Sequence, residues 1–219
     1  IICDGGKYGY NSDKFRHYCL SYKAHNSVEI DGFDILKLKP YGSAINPAKN
    51  LGDGIYELGG SYEYKAITHA RSLFYKPGCW LIVEDRLDFK KGRNITRWFH
   101  FDTEFKLISL AGNSLVVSDE KGRQVTADSL GPSFEMNLHF GNEDKMTGFL
   151  SKRDNQISPT LTVALQSREE VKVGRFHMVF SLNQASRSEA LRYVSAQLNV
   201  KKKASSRTSF LLSKSTTKN

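Results

Sequence analysis

Chemically reactive side chains are concentrated between residues 4 and 31, in the stretch DGGKYGYNSDKFRHYCLSYKAHNSVEID. A carboxylate oxygen and an imidazole nitrogen from such a stretch suit a divalent metal such as zinc. Tyrosine and histidine can exchange protons with a substrate, and arginine or asparagine can stabilise a carboxylate or an enolate-like intermediate. The stretch therefore predicts a site that handles a charged ligand. Its candidate residues are Asp4, Tyr8, Tyr10, Arg16, His17, Tyr18, His25 and Asn26.

A second interpretation of this stretch stays open. Two ligands do not close a metal site, so Asp4 and His25 would need a third ligand from elsewhere in the protein. The alternative is a polar hairpin rim in which the tyrosine rings pack and the histidine caps a turn. No single spacing in the stretch decides between the two interpretations.

Two further candidates lie on a segment with strand alternation, ITHARSLFY. Alternation places His69 and Arg71 on one side of the strand and their neighbours on the other. In RWFHFD the same rule puts Trp98 and His100 on one face and two phenylalanines on the opposite face. A histidine on such a strand usually has a structural role, and His69 is a better functional candidate than the histidines on later strands.

Strand signals dominate the chain. Ten short segments rich in β-branched and aromatic residues are separated by turns such as KPG, KKGRN, AGN, EKGR and LGP. We therefore predict an all-β fold, an antiparallel β-sandwich of many short strands. One helical pattern, SRSEALRYVSAQLNV, predicts a short helix over residues 186–200. The predicted organisation is a sandwich domain over 1–185, this helix, and a basic disordered tail over 201–219.

The charge of the chain is concentrated at its end. The formal net charge is +9, and residues 201–219 hold six Lys or Arg and no acid, which leaves +3 for residues 1–200. A basic, polar tail of this kind is typical of disorder. The mildly basic body fits a groove for acidic ligands better than a nucleic-acid surface, because aromatic RNA-binding and helix-turn-helix patterns are absent. No apolar run reaches the roughly 18 residues of a membrane span.

The cysteines and the first residues indicate which covalent or metal cross-links to expect and whether the chain is part of a longer protein. Three cysteines, Cys3, Cys19 and Cys79, have neither the number nor the spacing for a disulfide framework or a thiolate zinc site. The opening residues IICDGG show no initiator methionine and no signal-peptide pattern, and the apolar pair runs straight into Asp4. We therefore expect the chain to be a piece of a longer protein.

Three motifs near the N-terminus, taken together, resemble a known family. DGGKYGYN, then FRHY, then AHNSVEIDG are similar to the C-terminal β-domain of the heparinase II/III-like polysaccharide lyases. In that family an Asp-x-Gly-x-Tyr stretch precedes an Arg-Tyr segment and Ala-His-Asn-Thr/Ser. The His-x-Arg strand and the apolar strand WLIVEDRLDF, expected to end in Asp85, also agree. The resemblance covers most of residues 1 to about 185.

The resemblance implies a function and roles for individual residues. The family joins a helical toroid to the β-sandwich of the same chain and cleaves uronate-containing acidic polysaccharides by β-elimination, with substrates that are heparin-like, heparan-sulfate-like or alginate-like. It implies a divalent metal, zinc by its donors, at Asp4 and His25, and a proton carrier at Tyr10 or else Tyr8. It also implies a periplasmic, cell-envelope or secreted location. The substrate-binding residues by the same resemblance are Arg16, Asn26, His69 and Arg71.

One part of the family pattern lies outside the chain. The His-x-His-x-Asp motif, which carries a catalytic histidine and a further metal ligand, precedes Asp-x-Gly-x-Tyr, and this chain begins at Ile1. The resemblance therefore predicts a third metal ligand upstream of Ile1 and an inactive isolated fragment. Two other function classes stay open: a non-catalytic carbohydrate-binding or interaction sandwich, and a module that binds nucleic acid or membrane through its basic tail.

Overall fold

The computed structural model describes residues 1–33, 44–64, 66–131 and 134–198. The strands in these residues are β1 (Val28–Ile30), β2 (Ala44–Gly52), β3 (Ile55–Tyr64), β4 (Ile67–Lys76), β5 (Trp80–Arg93), β6 (Ile95–His100), β7 (Lys106–Ala111), β8 (Ser114–Ser118), β9 (Gln124–Leu130), β10 (Phe134–Phe140), β11 (Phe149–Arg153), β12 (Gln156–Pro159), β13 (Leu161–Ser167) and β14 (Val171–Ser181).

The strands form two sheets and a separate hairpin. The large sheet has eight strands in the order β2-β3-β4-β5-β14-β9-β8-β7, and the small sheet has four in the order β1-β6-β13-β10. Strands β11 and β12 pair with each other in a separate two-stranded sheet. Every pair is antiparallel. The predicted all-β antiparallel sandwich is confirmed.

Helices are short and few in the described part of the chain. Helix α1 spans Lys14–Cys19, a 3-10 turn spans Tyr22–Ala24, and helix α2 covers residues 184–198. The predicted C-terminal helix is thus present and begins two residues early, where the Asn183 side chain accepts a hydrogen bond from the Ser186 amide. Neither helix has both the length and the apolar composition of a membrane span. Residues 199–200 and the predicted tail lie outside the described residues.

The main core lies between the two sheets, and strand alternation accounts for it. On β5, Val83, Leu87 and Phe89 point inward, as do Phe99 of β6 and Phe101 just after it, all at most 3% exposed. Because successive side chains of a strand alternate in direction, Trp98 and His100 lie on the opposite face of β6. The faces predicted for this strand are therefore those observed.

A second core lies on the outer face of the large sheet. Trp80, Ile82 and Val179 pack there against Ala190 and Val194 of α2. Each of these five side chains is at most 3% exposed. Helix α2 thus covers part of the large sheet on the side away from the small sheet.

The strand boundaries differ from the sequence prediction in three places. The sequence pattern of residues 62–76 predicts one strand, whereas Tyr64 ends β3, Ile67 begins β4, and these two residues are paired. Strand β5 continues to Arg93, so Asp85 lies in its middle and does not end it. The β11–β12 hairpin was not predicted, because its strands are only five and four residues long and carry little alternation.

Candidate functional site

The Asp4 carboxylate and the His25 imidazole are in direct contact. The His25 Nδ1 lies 2.7 Å from Asp4 Oδ1, and the Gly6 amide donates to Asp4 Oδ2 at 3.1 Å. The His25 side chain is 34% exposed and that of Asp4 is 62% exposed. The proximity and partial exposure that a shared ligand requires are therefore present, while a metal-binding role for the pair stays a prediction.

Both ring nitrogens of His25 have acceptors as partners. The second nitrogen, Nε2, lies 2.9 Å from the carbonyl oxygen of Cys19. A carbonyl and a carboxylate can only accept, so the ring donates from both nitrogens, which is the charged imidazolium form. The hydrogen bond to Asp4 accordingly raises the pKa of His25, and the same bond lowers the pKa of Asp4.

Two glycines let the segment that carries Asp4 pack closely on its neighbours. A Cβ at Gly5 would lie 1.8 Å from the carbonyl oxygen of Ala24, and one at Gly6 would lie 1.9 Å from that of Ser151. Gly6 also has φ +75°, which favours glycine. The Asp-Gly-Gly sequence is therefore required for Asp4 to reach a residue next to Ala24.

The Asn26 side chain fixes the loop on the other side of His25. Its Nδ2 donates to the Cys3 carbonyl at 2.9 Å, and its Oδ1 accepts from the His100 amide at 2.8 Å. One carboxamide thus joins the N-terminal segment to the end of β6. Asn26 therefore holds this loop in place, and substrate binding by Asn26 stays a prediction.

A buried charge cluster lies directly behind this loop. Asp85 is fully buried and accepts from His69 at 2.8 Å and from Arg71 at 2.7 and 3.0 Å. Arg97, also fully buried, donates to the same carboxylate at 3.0 Å. Burial opposes ionisation of Asp85, but the two guanidinium groups outweigh it and hold its pKa well below the usual range.

Arg71 connects the buried cluster to the candidate site. Its Nη1 donates to the carbonyl oxygen of Asn26, while its other donors hold Asp85. His69 and Arg71 are therefore engaged within the protein, and their proposed contact with a substrate stays a prediction. The structure joins five predicted site residues by contact or chain neighbourhood, Asp4, His25, Asn26, His69 and Arg71, and adds Asp85, which the sequence predicts only as a strand end.

The tyrosine candidates lie in different environments. Tyr8 has φ 67°, unusual for a residue other than glycine, and its ring packs on Phe15 at 5.7 Å. Tyr10 is 81% exposed, with the Lys7 ammonium 3.9 Å from the ring centre and Arg16 5.6 Å away. Arg16 also donates to the Lys7 carbonyl at 2.9 Å.

These environments shift the pKa values of the two phenols in opposite directions. Hydrogen bonding with Lys7 lowers the pKa of Tyr10, whereas partial burial and the Asp13 carboxylate raise that of Tyr8. Tyr10 therefore has the easier access to a phenolate. The structure favours it over Tyr8 as a group that exchanges a proton with a ligand in solution.

His100 belongs to this region, although by sequence it ranks below His69 as a functional candidate. Its Nε2 donates to the Lys23 carbonyl at 2.8 Å, and burial lowers its pKa to about 4. Tyr18, which packs beside it, donates to the Phe149 carbonyl at 3.0 Å. The end-of-strand position of His100, on the face opposite Phe99, was the available signal.

A complete metal site is not present in the described part of the chain. No group of three or more His, Cys, Asp or Glu side chains is placed there to hold an ion. The Asp4 carboxylate and the His25 ring would fit zinc once Nδ1 gives up its proton, because Nε2 would still donate to a backbone carbonyl as metal-bound histidines do. Within the described residues the pair therefore supplies two ligands, and a metal site would need at least one more.

Comparisons with known proteins give a consistent family. The model of the family described as "Heparinase II/III-like, C-terminal" matches residues 1–193. No curated protein matches the chain significantly.

Solved structures share the fold at low identity. A heparinase III described as the BT4657 gene product is 17% identical with a TM-score of 0.66, covering 81% of this chain and 27% of its own. The heparan sulfate lyase HepC from Pedobacter heparinus is 15% identical with a TM-score of 0.66, covering 81% and 28%. A further heparinase III is 12% identical with a TM-score of 0.66, covering 82% and 27%.

This chain spans little more than a quarter of those proteins, so the structures establish its fold rather than their activity. The family match extends over most of the chain and includes every residue of the candidate site. The chain therefore belongs to the heparinase II/III-like C-terminal family.

Proposed function

We propose that this chain is the C-terminal β-sandwich part of a polysaccharide lyase that cleaves uronate-containing acidic polysaccharides by β-elimination. The observation that carries the proposal is the contact between Asp4 and His25, held at 2.7 Å by the family motifs and next to exposed basic and phenolic groups. The isolated chain is inactive, because the reaction also needs groups from the helical part of a longer chain. A periplasmic, cell-envelope or secreted location fits such a substrate.

The reaction assigns a task to each exposed group. A base removes the proton on C5 of the uronate, the electron pair forms the C4–C5 double bond, and the bond from C4 to the glycosidic oxygen breaks. The departing oxygen takes a proton from an acid. Tyr10 exchanges a proton in this sequence, since Lys7 eases loss of its phenolic proton.

Arg16 and Lys7 neutralise the negative charge of the substrate. Removal of the C5 proton spreads charge onto the uronate carboxylate, and a nearby cation stabilises that charge. The Arg16 guanidinium and the Lys7 ammonium both lie on the Tyr10 ring. They can therefore hold the carboxylate beside the group that transfers the proton.

Asp4 and His25 would hold a divalent metal, with zinc favoured by the donor set and a third ligand from outside the described residues. When bound, the metal would stabilise the arrangement of the loop. The chain's own contribution is orientation: the Cys19 carbonyl holds the His25 ring, and Asn26 and Arg71 hold the backbone that follows it.

The test compares the isolated chain with the longer protein that contains it. Heparin, heparan sulfate, hyaluronan and alginate are each incubated with both forms, and the conjugated enol ether of the product is followed by ultraviolet absorbance. We expect turnover of at least one substrate by the longer protein and none by the isolated chain. Turnover by the isolated chain would contradict its predicted inactivity, and no turnover by either form would contradict the proposed function.

Two tyrosine variants of the longer protein test the role of the phenol. Tyr10→Phe should lower kcat by about 100-fold or more, the usual contribution of a proton-transfer group. Tyr75→Phe, at a partly exposed tyrosine of β4, is the matched control and should leave kcat unchanged. Equal kcat values for the two variants would remove Tyr10 from the mechanism.

A further inference from the structure

The outer face of the small sheet forms a broad concave surface of about 1060 Å³. Strand register arranges its side chains in rows that cross the strands. One row contains Glu29, Thr96, Gln166 and Glu135, and the next contains Trp98, Ala164 and Asn137. Four strands about 4.8 Å apart make the surface about 14 Å wide. Ala164 leaves space above the middle of the sheet, where a larger side chain would fill it.

Polar side chains on this surface are free to bind a ligand. Asn94, Thr96, Glu135, Asn137 and Gln166 all line it, and none has a side-chain hydrogen-bond partner among the described residues. All five are partly or fully exposed. By contrast, the Asn26 carboxamide beside His25 already has hydrogen bonds to two backbone groups. Carboxamides and carboxylates that point together into one concavity can pair with hydroxyl groups, which both donate and accept.

Aromatic groups lie in the floor and at the rim of the concavity. Trp98 is held by a 2.8 Å hydrogen bond from its Nε1 to Glu29 and by contact with the His139 ring at 5.5 Å. Phe140, which also lines the concavity, is 67% exposed. Aromatic faces beside fixed polar groups can pack against the apolar faces of a ligand while the polar groups bind its edges.

The charge of this surface is negative although the chain as a whole is basic. Its carboxylates are Glu29, Asp31, Glu135 and Asp144, and its ammonium groups are Lys23 and Lys145. Four negative and two positive groups give −2, since burial lowers the pKa of His139 and keeps that ring neutral near pH 7. A sulfated or uronate-rich segment would be repelled here.

The combination of features selects one class of occupant. A protein partner would need a larger apolar centre than this polar surface offers. We propose that the outer face of the small sheet binds a segment of uncharged sugar residues through its free carboxamides, its free carboxylate and the exposed Phe140 ring. The ligand class is a neutral, hydroxyl-rich oligosaccharide, in contrast to the anionic substrate proposed for the motif region.

The experiment maps binding on the 219-residue chain by amide chemical shifts. Cellohexaose, mannohexaose and chitohexaose are the neutral probes, with a heparin-derived hexasaccharide and hexalysine as charged comparisons. We expect at least one neutral probe to shift amides of β6, β10 and β13, and the two charged probes to leave those amides unchanged. If no neutral probe shifts them, or if hexalysine does so instead, the proposal is wrong.

Paired variants make the assignment specific to this surface. Asn137→Ala combined with Gln166→Ala should weaken binding of the neutral probe at least tenfold, and Phe140→Ala alone should weaken it several-fold. Asn113→Ala combined with Gln124→Ala removes the same two side-chain types at exposed positions of the large-sheet side and should leave binding unchanged. Circular dichroism confirms that each variant is folded. Equal weakening by the two double variants would overturn the assignment.

Discussion

Adjacent acidic residues on β5, Asp85 and Glu84, lie in two charge clusters on opposite faces of the large sheet. Both carboxylates are fully buried. Asp85 faces the small sheet, where Arg97 is itself fully buried. Glu84 faces away from it and contacts Arg86 at 2.5 Å and His177 at 2.9 Å.

The clusters differ in what their cations can do when the carboxylate is absent. Arg86 is 42% exposed and can turn to solvent, whereas Arg97 has no exposed surface and no such alternative. Removal of one partner from a buried pair is most costly when the remaining charge stays buried. Loss of the carboxylate should therefore lower stability more in the Asp85 cluster than in the Glu84 cluster, although the two carboxylates are equally buried.

Replacing Asp85 should produce the largest loss of stability. Asp85→Asn leaves Arg97 charged and unpaired in the core, so we expect the free energy of unfolding to fall by about 3–5 kcal/mol. Urea unfolding followed by circular dichroism measures it. Asp88→Asn, at an exposed aspartate of the same strand, is the control and should change stability by less than about 0.5 kcal/mol. A small effect of Asp85→Asn would show that Arg97 finds other partners.

Acid should act on His100 before it acts on either cluster. Burial lowers the pKa of His100 from 6.5 to about 4, so the unfolded chain binds a proton in this range that the folded chain does not. The contribution of neutral His100 is complete above pH 6.5 and is lost as the pH falls toward 4, by about 3 kcal/mol. Burial opposes ionisation of Glu84, but His177 and Arg86 outweigh it and lower its pKa to about 2.

The measurement is the free energy of unfolding at several pH values between 4 and 7. In His100→Gln the part of the slope that belongs to this proton should disappear, while both charge clusters stay intact. An unchanged slope in that variant would mean that a group other than His100 causes the loss of stability in acid. Titration of the two charge clusters would then have to be examined in this pH range.

Replacing Glu84 should cost less than replacing Asp85. In Glu84→Gln the two arginines near it can reach solvent, so we expect a loss of about 2 kcal/mol, the value of hydrogen bonds to a charged group. The same urea titration measures it. A loss equal to that of Asp85→Asn would show that burial of the carboxylate alone decides the cost, and the proposed difference between the faces would be wrong.

The smallest effect on stability is expected at the solvent-exposed pair of Asp4 and His25. Asp4→Asn removes an ion pair with substantial solvent exposure, which should cost less than about 1 kcal/mol. It should also lower the pKa of His25, because the hydrogen bond with Asp4 raises it. The stabilisation by this pair is lost as the pH rises through the raised pKa of His25, and also as it falls through the lowered pKa of Asp4.

Titration of the His25 ring by NMR measures this effect directly. Asp154→Asn, at an exposed aspartate in the β11–β12 turn, is the control and should leave the His25 titration unchanged. An unaltered His25 pKa in Asp4→Asn would mean that the carboxylate does not hold the ring in solution.

The sequence predicted the parts of the site that depend on local pattern. Alternation correctly placed His69 and Arg71 on one face of β4, since side chains of a strand point in turn to each side. Alternation did not reveal that His69 and Arg71 both donate hydrogen bonds to Asp85. That contact depends on the register between β4 and β5 and on Arg97 from the other sheet. The extension of β5 beyond Asp85 likewise depends on pairing with β14.

What the sequence determined by itself was the all-β class, the C-terminal helix and the set of residues with reactive groups, since these depend on composition and short-range periodicity. Tertiary structure decided which of those groups meet. Asp4 and His25 are 21 positions apart in the sequence. They are in contact because Gly5 and Gly6 permit close packing on Ala24 and Ser151. Contacts of this kind depend on how separate segments pack, and local pattern carries no information about that packing.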